Sequence, residues 1–282
     1  MIFFLSILAA FACALCTGIG AILQKASADK EKPVHGIKLG FLWSLLHNWK
    51  YVLGVVIDTL GWVFVYLAVQ HIPLFFAEAI VSSNLLITAL LEHFVLHTPL
   101  PKRAYFAVIL VLCGLGVLGL AAGQEAPRTV SLHIEWALAL VPIVALVLAA
   151  AVGRSKQLAA TAGVALLGGV AFGETSVISR VFPLPHPLWH ALTGPLLYGL
   201  IASGIVGVLL FSTALQRTHA TVANACLTIS QTFVPAIIGL AVLGDTVRAG
   251  RWYAVVLGLG LSVAGTLYLM MVTRHTTKIA AL

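Results

Sequence analysis

Nine runs of about twenty mostly apolar residues succeed one another along the chain, at 2–23, 49–70, 75–96, 104–122, 132–153, 157–182, 195–216, 222–243 and 252–273. A run of that length, wound as a helix, matches the ~30 Å hydrocarbon thickness of a bilayer. Lipid offers the backbone no hydrogen bonds, so each run must satisfy its own N–H and C=O groups, as a helix does. The pattern therefore predicts an all-α integral membrane protein with nine transmembrane helices. Most connectors are short, and two are longer. Residues 26–48 carry Lys30, Lys32, Pro33 and Lys38 ahead of an amphipathic stretch with Trp43 and Trp49. Residues 183–194 open with Pro183-Leu184-Pro185-His186-Pro187, which cannot continue a helix.

The pattern also repeats. A shift of 146 residues places Gly61 on Gly207, Ala68 on Ala214, Gln70 on Gln216, Ala77 on Ala223 and Ala79 on Ala225. The same shift places Gly114 on Gly260, Leu115 on Leu261, Val117 on Val263 and Gly119 on Gly265. With a slightly different shift, Gly18 leads Lys25 by seven residues as Gly173 leads Arg180. Matches gather at small residues, where helix packing constrains identity. Spans 1–4 thus correspond to spans 6–9. Corresponding spans stand five apart, an odd number, so they cross in opposite directions. The expected organisation is a first repeat over 1–123, a linker with span 5 over 124–156, and an inverted second repeat over 157–282. Such repeats build the binding sites of secondary transporters between their halves.

Composition agrees with the pattern: 61% of the 282 residues are hydrophobic and only 9% are charged. A water-soluble fold would expose about a quarter of its residues as charges. The net charge of +7 would fit nucleic acid, but the basic residues sit in connectors and form no basic face with interleaved aromatics. With the N-terminus outside, twelve Lys and Arg fall on the cytoplasmic side and four (Arg128, Arg180, Arg248, Arg251) outside. That bias predicts a cytoplasmic C-terminus, in the plasma (inner) membrane. Met1–Leu23 lacks the basic region of a signal peptide, and its later counterpart implies that it is kept. Cys13, Cys16, Cys113 and Cys226 all lie in apolar runs and read as packing residues, not as a disulfide or zinc framework.

The segment Gly61–Gly123, with "LAVQHIP" at Leu67–Pro73, and its counterpart with "TALQRTHATVANA" at Thr213–Ala225 and "LGD" at Leu243–Asp245, resemble the drug/metabolite transporter superfamily with its EamA-like fold. "GIGAILQKAS" (Gly18–Ser27), "LLGGVAFGETSVISR" (Leu166–Arg180) and the nine-span count are similar to its NIPA-type branch. Members of that branch are described as magnesium transporters, and the resemblance implies alternating-access transport. His97-Thr98 replaces the acidic junction of that pattern in the first half, and Asp245 replaces its Glu in the second.

Acids inside spans are expensive in lipid and mark function by default. Asp58, Glu78 and Glu174 stand out. At about 1.5 Å per residue, Glu78 falls roughly 6 Å, Glu174 roughly 12 Å and Asp58 roughly 18 Å below the outer end, with Glu92 closing the series. A path lined by acids favours cations or protons. Ser82 shares the face of Glu78, and the partners Asn224 and Thr228 begin a face that continues to Gln231, so these residues would complete a polar cleft. Asn84 and Ser230 fall on another face, and Trp62 lies one turn from Asp58 beside ordinary packing positions. If a cation is the substrate, the three acids are the candidate metal ligands. His93/His97 and His186/His190 lack the Glu of a metalloprotease motif, and no nucleophile–base set points to an enzyme. Gly114–Gly119 fits a dinucleotide expression but lies in mid-span; with Gly258 and Gly260 it predicts packing of spans 4 and 9 together, or against a second subunit as a homodimer. The expectation is a carrier of a small solute, without a cofactor, moving a divalent cation or a proton-coupled metabolite. A lipid or lipid-phosphate translocator, and a non-transporting membrane subunit or scaffold, stay open as alternatives.

Overall fold

Long stretches of Leu, Ile, Val and Ala with few charges wind into helices because packing and lipid both reward a backbone that closes its own hydrogen bonds. The computed structural model describes residues 2–31, 37, 39–69, 77, 80–96, 100–121, 130–155, 157–182, 194–243 and 247–279. Glu78, His97, His186, His190, Asp245 and the proline-rich turn at 183–187 lie outside the described residues. The first helices are α1 (Ile2–Ala28), α2 (Leu39–Leu46), α3 (Trp49–Val69), α4 (Asn84–Val95) and α5 (Lys102–Ala121). They are followed by α6 (Leu132–Val152), α7 (Leu158–Val181), α8 (Pro195–Arg217), α9 (Ala220–Ile238) and α10 (Trp252–Ile279), with a π-helical turn at Gly239–Leu243.

Seven of these helices (α1, α3, α5, α6, α7, α8 and α10) are long and apolar enough to cross a membrane. Large apolar side chains such as Phe94, Trp136, Val147, Tyr198 and Val256 stay exposed on the outside of the bundle, a surface that calls for lipid. Two further helices were expected as spans and are different in kind. α4 has only 12 residues, and α9, with 19, carries Asn224, Thr228, Ser230, Gln231 and Thr232 and is not among the seven. Every residue from Ala220 to Ser230 is buried, so its neighbours, not lipid, shelter that polar face.

Within the run expected as one span over 75–96, α4 begins at Asn84. Ahead of it Ser82 and Ser83 form a tight turn, in which Ser83 N–H donates to Ile80 O at 3.0 Å and Leu85 N–H to Ser82 O at 3.1 Å. The tighter winding resets the angular register between Val81 and α4.

Small residues set the helix pairs. Gly20 and Gly54 bring α1 and α3 together antiparallel, each carbonyl lying 2.9–3.0 Å from where a Cβ on the other glycine would sit. α7 and α8 also pack antiparallel, with Gly168 against Leu210 and Gly207 against Phe172. α1 runs parallel to α4, Cys13 packing near Val81 and Ala21 near Leu91. α7 likewise runs parallel to α9, Gly169 against Leu227 and Gly173 against Pro235. The end of α1 (Ala21, Ile22) clusters with the start of α7 (Ala162, Ala165), so those two helices cross in opposite senses. α5 and α10 pack on each other, a Cβ at Gly258 meeting Gly114 O at 2.6 Å, whereas Gly116 and Gly260 have nothing within 4 Å. None of the four cysteines is bridged; Cys13 and Cys226 are buried, and Cys113 is exposed rather than packed inside.

Candidate functional site

A cavity of about 300 Å³ opens between the two sets of helices. Cys13 and Thr17 of α1, Val55 to Val65 of α3, and Val81 and Asn84 line one side. Phe172, Thr175 and Ser176 of α7, Leu200 to Phe211 of α8, and Asn224, Leu227 and Gln231 of α9 line the other. Its wall begins six residues inside the Lys/Arg-rich ends of α3 and α8, roughly 9 Å by helical rise.

The expected site residues divide three ways. Asp58, Asn224 and Gln231 come together on this wall. Ser82, Thr228 and Glu174 are buried but do not line it. Glu78 lies outside the described residues. Asp58 sits where α3 meets Gly20 of α1, at whose position a Cβ would come 3.2 Å from the Asp58 Cβ; the small residue lets the carboxylate-bearing turn seat closely. The Gln24 amide lies beside that carboxylate without completing a hydrogen bond, and both its polar atoms are buried without a partner.

Asn84 corrects the expectation that it points elsewhere. The Ser82–Ser83 turn rotates α4 so that Asn84 lines the cavity and accepts from Asn224 Nδ2 at 2.8 Å. The second Nδ2 proton of Asn224 goes to Thr88 Oγ1 at 2.9 Å. The two halves therefore join at the cavity through an amide pair. Ser230 faces away as expected, donating to Leu166 O at 2.7 Å. Gln231 has a structural cause for its position: Pro235 supplies no N–H to the Gln231 carbonyl four residues earlier. Trp62 does line the cavity, stacked on Tyr66 with ring centroids 5.9 Å apart.

Glu174 is fully buried in the seam between α7 and α8. Its Oε2 accepts from Ser203 Oγ at 2.6 Å, and its Oε1 has no partner. It adjoins the cavity through Thr175 and Ser176 without opening onto it.

Glu92 turns out to be structural. It is fully buried and accepts from the N–H groups of Ala220 (2.9 Å) and Thr221 (2.8 Å), from Thr221 Oγ1 (2.5 Å), and lies 3.0 Å from His219 Nδ1. A carboxylate from α4 thus caps the N-terminus of α9, satisfying orphan donors and complementing the helix dipole. The sequence signal was an intramembrane acid near one helix end, facing a helix start with no acid of its own.

The same face of the molecule carries several other ties. Tyr51 OH and Ser212 Oγ, both fully buried, lie 2.7 Å apart. Lys25 Nζ donates to Leu215 O at 2.7 Å and Arg217 Nη1 to Gly153 O at 3.0 Å. Polar side chains and Leu45 therefore fill the layer between the cavity and the Lys/Arg-rich ends. Among the described residues, no three His, Cys, Asp or Glu converge as metal ligands.

Comparison with known proteins adds two findings. A family model described as "Putative transmembrane family 234" matches residues 12–119. The chain is also similar to "Probable magnesium transporter NIPA9" of Arabidopsis thaliana. The two are 23% identical over 273 residues, covering 88% of this chain and 78% of the plant protein. This is a distant relationship, in line with the resemblance to NIPA-type proteins. No solved structure matches.

Proposed function

We propose that this protein is a secondary carrier of the drug/metabolite transporter type, with nine spans, an inverted repeat of residues 1–123 and 157–282, and an alternating-access cycle. The observation that carries the reading is the cavity between the halves, walled by Asp58 and the Asn84–Asn224 pair. The helix pairings support the repeat. Gly61 takes its close contacts from α1, and its counterpart Gly207 from α7. Gly18 takes its contacts from α4, and Gly173 from α9. Opposite senses of α1 and α7 are what inversion requires.

In this reading Asp58 binds the solute, and Asn224 and Gln231 complete its pocket. Glu174, beside the wall, exchanges a proton, and Glu78 continues the acidic path toward the outer face. Ser82 and Thr228 support these groups from behind. The polar ties on the Lys/Arg-rich side form the closed gate of the conformer seen here, with that side cytoplasmic and the plasma membrane as the host. A divalent cation and a proton-coupled metabolite are both cargoes of this reading; the plant relative's name points to the first, and the single wall carboxylate suits a monovalent cation. Hexahydrated magnesium binds through one or two carboxylates and retained waters.

Reconstituted proteoliposomes test the reading. Wild-type protein should move protons or cations down an imposed gradient, Asp58→Asn should lose flux, and Glu174→Gln should lose its pH dependence. Wild-type-like flux and wild-type-like pH dependence in both variants would remove the carboxylates from the mechanism.

A further inference from the structure

The cavity wall holds one charged side chain among the described residues, Asp58, and no Lys or Arg. In a low-dielectric interior an unbalanced carboxylate is costly, and a ligand carrying one positive charge removes the imbalance. A divalent ion against a single carboxylate would leave an excess charge of its own. The remaining wall is mostly hydrocarbon: Val55, Val65, Val81, Leu200, Val208 and Leu227 all face the space. Thr17, Thr59, Thr175 and Ser176 add neutral hydroxyls to this wall, but no second carboxylate among the lining residues stands with Asp58 to match a divalent charge.

What the wall does supply is an aromatic surface. Trp62 stands one helical turn from Asp58 on the same face of α3, and Phe172 and Phe211 approach from the opposite half. Tyr66 stacks behind the indole at 5.9 Å and holds it in place. A carboxylate next to an indole is the pairing that recognises an ammonium head, by charge and by cation–π attraction together. The volume, about 300 Å³, sits at the small end of organic-ligand pockets. The Asn84–Asn224 pair adds fixed polar groups that orient a ligand across both halves.

We infer that the ligand of this cavity is a singly charged organic ammonium ion with an aromatic or alkyl body. This deepens the carrier reading and, for movement across the membrane, rests on it. The probes are phenethylammonium chloride, its neutral isostere 2-phenylethanol, and magnesium chloride, each titrated against the purified full chain in detergent with thermal unfolding as the readout. Phenethylammonium should raise the unfolding midpoint, with 2-phenylethanol at least about tenfold weaker. Asp58→Asn should abolish the difference between the two. Trp62→Leu should weaken phenethylammonium about tenfold while Trp62→Phe keeps most of the affinity; this pair decides the matter if Asp58→Asn fails to fold.

An equal response to the alcohol, or stabilisation by magnesium without any by phenethylammonium, would overturn the inference. In proteoliposomes the two ideas part. Ammonium that binds but does not cross upholds the ligand class and removes the carrier, whereas magnesium flux without ammonium binding keeps the carrier and removes the ligand class.

Discussion

Two buried carboxylates in this protein make opposite use of their charge. Glu92 is surrounded by donors: two backbone N–H groups, the Thr221 hydroxyl and His219. Glu174 has a single donor, Ser203, and one bare oxygen. The first carboxylate holds two helices together, and the second keeps one oxygen without a donor. Removing Glu92 strands the α9 N-terminal donors in a dry interior, and an unsatisfied buried donor costs about 1–3 kcal/mol. Glu92→Ala should therefore lower the unfolding midpoint in detergent well below wild type, while Glu174→Gln, which keeps the Ser203 contact, should leave it nearly unchanged. Circular-dichroism melts of both variants check this. Equal losses would show that Glu174 is as structural as Glu92. The sequence marks both as intramembrane acids, but it cannot separate their roles, because the donors around Glu92 arrive from residues 219–221, more than a hundred positions away.

At the scale of helices, the glycines decide which faces meet. Gly114 lies where a Cβ would come 2.7 Å from Gly258 O, whereas Gly116, two residues on, faces open space. Gly114→Leu should destabilise the α5–α10 pair by about 1–3 kcal/mol through overpacking, and Gly116→Leu should be nearly neutral. A pair of thermal melts distinguishes them. The glycines point to spans 4 and 9 packing together or against a second subunit; Gly114 and Gly258 meet within the chain, and Gly116 and Gly260 do not take part. Asp58, Asn224 and Gln231 line the cavity, but Thr228, expected on the same face as Asn224 and Gln231, does not. Asn84 was not legible, because an ideal helix carried through Ser82 and Ser83 points it away; the turn there tightens the winding and brings it to the cavity. Hydropathy anticipated nine equal spans, but α4 and α9 are shorter or more polar than the seven lipid-facing helices. Neighbouring helices bury Ala220–Ser230 of α9, and a pattern read one segment at a time cannot see that cover. Pro235 works at this scale too. Pro235→Ala restores a donor to the Gln231 carbonyl and should stiffen α9. The expected outcome is a higher unfolding midpoint with slower flux in proteoliposomes; faster flux would show that the proline does not serve the cycle.

For the whole molecule, alternating access requires that one cavity be reached in turn from the two faces of the membrane. Tyr51–Ser212, Lys25–Leu215 and Glu92–Thr221 form hydrogen bonds on the Lys/Arg-rich side of the cavity, and in the proposed carrier these are the ties that must open. A protein with a fixed internal void would need no such ties to open. Thr59 is an exposed position on the cavity wall, which makes it a reporter that does not depend on knowing the cargo. With Cys13, Cys16, Cys113 and Cys226 replaced, Thr59→Cys can be probed in sealed vesicles of each orientation with a membrane-impermeant methanethiosulfonate. Alternating access predicts modification from both faces, with Tyr51→Phe, which breaks the bond to Ser212, raising the rate from the Lys/Arg-rich side. Modification from one face alone, unchanged by Tyr51→Phe and by any gradient or ligand, would contradict it.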